Sequence, residues 1–65
     1  MSGHEVGAAV RALYVLGPGD PEEVQPGTDG TVTEVAPIHH TYRYRVDFGP
    51  GRDWLVKPDE IEAAP

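Results

Sequence analysis

The chain has no cysteine. No disulfide can brace it and no thiolate can hold a metal. This fits a reducing compartment. Basic residues are scarce: five Lys and Arg stand against eleven Asp and Glu, a net charge of −6. Such a balance opposes nucleic acid and anionic lipid, both of which repel an acidic surface. No apolar run approaches the ~20 residues of a membrane-spanning helix. The N-terminus lacks the basic start and apolar stretch of a signal peptide. A soluble, cytoplasmic protein is the expectation. The marks of catalysis are missing too. There is no Ser/His/Asp spacing, no glycine loop opening a helix and no paired-carboxylate pocket. A chain of 65 residues also leaves little volume for a substrate cavity. No enzymatic activity and no cofactor are expected.

What is present is turn chemistry between short apolar runs. Seven prolines and eight glycines exceed average usage. They punctuate the apolar runs instead of interrupting them, as in a turn-rich β domain. One domain is all this length supports, with marginal stability. Weak self-association is one way such a domain gains stability, and it stays open here.

The clearest pattern lies between Thr41 and Glu62. Tyr42, Tyr44, Val46 and Phe48 share one face of an extended chain, and Arg43, Arg45 and Asp47 share the other. Gly49-Pro50-Gly51-Arg52 makes a turn that joins a third strand, Tyr42 to Phe48, to a fourth over 53–57. Pro58-Asp59-Glu60 reads as one short helical turn, and Ile61-Glu62 as a last strand. Upstream, Ala8 to Leu16 reads as a strand that is apolar on both faces, so it should be covered on both. A long loop follows, from Gly17 to Gly27, stiffened by prolines and tucked onto the core by Val24. A second strand spans 31–35, where the three-residue spacing of Val32 and Val35 predicts a bulge or bend. Residues 1–7 and 63–65 are expected to be loose tails around a domain over 8–62. Five short strands have exposed edges unless the sheet closes, which points to a small barrel. The expected core is Val10, Ala12, Leu16, Val24, Val32, Val35, Val46, Phe48, Trp54, Val56 and Ile61.

Several residues resemble those of SH3-like small barrels. Ala12-Leu13-Tyr14 before an acidic loop resembles the opening of an SH3 domain, with Val24 and Gly27 preceding the second strand. Leu55-Val56 and Pro58-Asp59-Glu60-Ile61 resemble its closing apolar pair, helical turn and last strand. Peptide-binding members carry a Trp early in the third strand and a Tyr in the helical turn. Here His and Tyr occupy the first place and Glu60 the second, so only Tyr14 matches the proline-binding aromatics. Pro26-Gly27-Thr28-Asp29-Gly30-Thr31-Val32, Tyr44-Arg45-Val46-Asp47-Phe48-Gly49 and Val56 with Asp59-Glu60-Ile61-Glu62 look closer to bacterial accessory barrels. Those include the photosystem I barrel subunit, the nitrile hydratase β-subunit barrel and short actinobacterial and phage proteins. The resemblance implies an all-β, five-stranded SH3-like barrel with a long first loop and one short 3-10 turn before the last strand. It also implies a scaffolding or partner-docking role.

Four groups of residues are candidates for contact with a partner. Tyr14, Tyr42, Tyr44 and Trp54 could form a groove for an extended peptide, or else pack the core and rim. Arg43, Arg45 and Arg52 could dock an acidic partner or a nucleic-acid backbone, or else pair across strands, for example Arg45 with Asp53. His39 and His40 with the distant His4 suggest metal, but adjacent residues on an extended chain point opposite ways, so solvent-exposed loop histidines are the simpler reading. Asp20, Glu22 and Glu23 could meet a basic partner; Pro21 and Pro26 break the register of a calcium loop. The expected function is therefore a protein-interaction or accessory module with another protein as partner. The alternatives are a nucleic-acid-associated barrel using Arg43, Arg45 and Arg52, and a non-catalytic subunit that stabilises a larger enzyme.

Overall fold

The computed structural model describes residues 3–65. Five strands are present: β1 (Ala9–Ala12), β2 (Asp29–Val35), β3 (Tyr44–Asp47), β4 (Asp53–Val56) and β5 (Ile61–Ala63). One 3-10 turn, Pro58–Glu60, precedes β5. The strands form a single antiparallel sheet in the order β4-β3-β2-β1-β5. The chain is thus all-β, as its alternation indicates.

All five strands feed one core. Val10, Val32, Val46, Val56 and Ile61 come from β1 to β5 in turn and belong to one buried cluster. Nothing in this sheet packs against a second layer, so the sheet coils around its own apolar face. Burying a valine fully contributes about 1.5–3 kcal/mol, and the core holds five of them at 1% exposure or less. Small β-branched side chains suit the tight concave side of a coiled sheet. The expected closure is not reached: β4 and β5 are both edges and do not pair with each other.

The first strand is shorter than its apolar run. It ends at Ala12, the last residue held on both sides, and only its ladder with β5 continues one rung further. Ala12 still exchanges hydrogen bonds with the turn before β2 (Gly27 N to Ala12 O, 2.8 Å), while Leu13 N donates to Glu60 O at 2.9 Å. Leu13, Tyr14 and Val15 then bend away and are exposed. A strand covered on both faces was the expectation; with only one layer, one face of β1 is covered.

β2 carries the expected bulge. Val32 sits opposite Val46, and Glu34 sits opposite Arg45, which leaves Thr33 as the extra residue. The bulge returns Val35 to the core side, opposite Tyr44. Val35 nevertheless remains at the rim, 37% exposed, and Tyr44 takes the buried place at 2%. Trp54 packs against the core from its margin.

Residues 3–7, expected to be loose, lie along the sheet, while Met1 and Ser2 fall outside the described residues. Gly7 N donates to Val32 O at 2.8 Å. His4 N donates to the Tyr44 hydroxyl at 3.2 Å, and the two rings meet edge-on at 5.2 Å. At the other end, β5 runs to Ala63 and Ala64 N donates to Ala9 O at 3.0 Å.

Candidate partner-docking surface

The long loop is built by its own acids. Its neck is the bridge between Leu16 and Val24, closed by two backbone bonds of 2.9 and 3.0 Å, and both side chains are buried. Beyond the neck, Asp20 Oδ1 accepts from Glu22 N at 2.8 Å. Glu23 accepts from Gly19 N at 3.4 Å and from Gln25 Nε2 at 2.6 Å. The carboxylates thus fold the loop locally while their side chains stay at the surface.

Trp54 fastens this loop to the sheet. Its indole Nε1 donates to the Glu22 carbonyl at 3.0 Å. Its six-membered ring lies over Gly17, whose φ of +64° is open to glycine at little cost. A tryptophan at the margin of a small core can bury its ring and still satisfy its polar N–H in this way.

The aromatic candidates divide. Tyr14 and Tyr42 are exposed, Trp54 is half-buried, and Tyr44 is inside the core. Tyr44 therefore serves packing and does not present a ring to a partner. Tyr42 lies between two shallow cavities that it shares with Leu55. One, of about 260 Å³, is lined by Val15, Pro18, Trp54 and Glu60 as well. The other, of about 360 Å³, extends toward Val35 and Val6. Val15, Tyr42, Val35 and Leu55 thus gather large exposed apolar surface on one side of the molecule. Leu55 and Val15 were not among the sequence candidates. Leu55 has a signal: between Trp54 and the buried Val56, period 2 turns it away from the core.

The arginines do not form a free basic face. Arg45 Nε donates to Glu34 Oε1 at 2.8 Å, and its Nη1 lies 3.6 Å from Asp53 Oδ2. The pair with Asp53 is the diagonal cross-strand contact expected from the hairpin. The hydrogen bond to Glu34, followed by the nearby charge of Asp53, raises the Arg45 pKa above the ordinary arginine value. Arg43 Nε donates to the Ala36 carbonyl at 3.1 Å, with its guanidinium 5.6 Å from the centre of the Tyr44 ring. Arg11 pairs with Asp29 at 3.1 Å. Arg52 sits exposed at the hairpin turn.

His39 and His40 lie in a turn that His40 N closes on Pro37 O at 3.0 Å. The turn, unlike an extended chain, lets the two rings approach to 4.8 Å. Among the described residues, no group of three His, Cys, Asp or Glu could hold a metal ion. Among them, too, no helix is long and apolar enough to cross a membrane.

No family model matches this chain, and no curated protein or solved structure matches it.

Proposed function

We propose that this protein is a non-catalytic docking module, an SH3-like small domain of the bacterial accessory type that works by binding another protein. The observation that carries the reading is the cluster of Val15, Tyr42 and Leu55 around the margin of Trp54, beside Glu60 of the 3-10 turn. Exposed apolar and aromatic groups rimmed by charge are the usual composition of a protein-binding patch. Strand order and a core fed by every strand support the SH3-like assignment. Arg43 and Arg45 are engaged locally, which favours a protein partner over nucleic acid. The proposed site of action is the cytoplasm.

A peptide-display library panned on the protein tests this. Ligands should be enriched, and their binding should be lost in Tyr42→Ala and Leu55→Asp. Ligands that bind these folded variants as well as the parent would sink the proposal.

A further inference from the structure

The sheet fails to close along one seam, between β4 and β5. The backbone of β4 faces that seam. Phe48 N donates to Arg52 O at 2.9 Å, which makes 48 and 52 a hydrogen-bonded pair of the hairpin. In an antiparallel ladder such pairs recur every second residue. The next are Val46 with Trp54 and Tyr44 with Val56. Trp54 and Val56 therefore direct N–H and C=O toward β3. Asp53 and Leu55 direct theirs outward, and among the described residues no backbone group takes them.

The opposite edge offers less. β5 is three residues long. Leu13 N bonded to Glu60 O and Ala64 N bonded to Ala9 O set its alternation. Only Ile61 and Ala63 are left facing out, and Ile61 is buried. β4, one residue longer, has no proline or bulge within it, and both of its outward-facing residues, Asp53 and Leu55, are exposed. Beside it lies the cavity of about 260 Å³ lined by Val15, Trp54 and Leu55.

Charge selects the occupant. Glu60 lines this cavity and the Glu22 carboxylate lies by Gly51 at the turn into β4, while Asp53 on β4 already faces Arg45. A second copy of a chain carrying −6 would bring like charge against like. A basic chain meets no such cost.

We propose that the free edge of β4 takes up an extended segment of another protein as an added strand. The segment is rich in basic and apolar side chains. Its backbone bonds to Asp53 and Leu55. Its apolar groups rest on Leu55, Tyr42 and Val15, and its basic groups meet Glu22 and Glu60. The mode is strand addition at a sheet edge, and it rests on the docking reading above.

The test uses the folded protein labelled with ¹⁵N and a mixed library of capped octapeptides drawn from Val, Ile, Tyr, Lys and Arg. Two control libraries accompany it, one methylated at every backbone nitrogen and one with Asp and Glu in place of Lys and Arg. The first library should slow exchange of the Asp53 and Leu55 amides by about tenfold or more and shift Trp54 emission. Neither control should do so. Unchanged exchange at these two amides overturns the added strand, as does equal protection by either control. If display-derived ligands still bind through Tyr42 and Leu55 in that case, the docking function stands and only the strand mode falls.

Discussion

The outer ring of Trp54 fills the space that a β-carbon on Gly17 would occupy: that carbon would lie 2.5 Å from Trp54 Cζ2. Gly17→Ala therefore carries two costs, a strained positive φ and the displacement of the indole. The expected loss is about 1–3 kcal/mol of stability, seen in urea unfolding, together with a red shift of Trp54 emission. Gly19→Ala separates the two costs. Its φ is +84°, but its β-carbon would meet open space. It should be the milder change and should leave the emission where it was. Equal effects at the two glycines would remove the role given to the indole.

Gly30 is required by its neighbours and not by its dihedral. It stands opposite Val10 in the ladder. A β-carbon there would come within 2.7 Å of Phe48 Cδ1 and 2.9 Å of the Asp47 carbonyl oxygen. Gly30→Ala should destabilise the domain by about 1–3 kcal/mol through overpacking. Phe48→Leu in the same chain should recover part of that loss, because it clears one of three obstacles, the others being the Val46 side chain at 2.8 Å and the Asp47 carbonyl. A double-mutant cycle by urea unfolding reads the coupling. Strict additivity would rule out the contact as the cause.

One of the contacts that hold the N-terminal segment is made by a hydroxyl. The Tyr44 oxygen accepts the His4 amide at 3.2 Å. Tyr44→Phe keeps the buried ring and removes the acceptor. Global stability should fall by about 0.5–1.5 kcal/mol, while exchange of the His4 amide accelerates and the amides of β3 keep their order of protection. If the His4 amide exchanges as in the parent, the segment is held by something else.

Arg45 bridges Glu34 and Asp53 at a solvent-exposed face. Exposed pairs contribute little and are screened by salt. Arg45→Ala should lower the unfolding midpoint slightly at low salt, and the difference should shrink as salt is added. Low-salt titration with DNA or RNA should show no binding that Arg43→Ala or Arg45→Ala abolishes. Salt-sensitive binding lost in those variants would reverse the choice between protein and nucleic acid.

Much of this architecture is legible along the chain, because side-chain alternation is local. Tyr44, Val46 and Val56 are inward where period 2 puts them, and the Val32–Val35 spacing foretells the unpaired Thr33. The end of β1 is not legible. Leu13-Tyr14-Val15 continues the apolar run, and nothing in the local pattern marks Ala12 as the last residue of the strand. The open seam is also hidden, since whether two edges meet depends on sheet coiling. The candidate surface was half visible. Exposed Tyr42 and the acids Asp20, Glu22 and Glu23 were marked, whereas Val15 and Leu55 carry no polar label. The bond from Trp54 to the Glu22 carbonyl joins residues far apart in the chain, and no local pattern announces it.

The position of β1 between β2 and β5 has a consequence for how the molecule is born. Arg11 pairs with Glu62, near the other end of the chain. During synthesis β1 emerges first, yet half of its ladder arrives last. Val10 and Ala12 cannot be fully enclosed until Ile61 has left the ribosome. Long-range pairing of this kind slows folding, and a nascent chain stopped before Ile61 should bind a hydrophobic dye that the complete domain rejects.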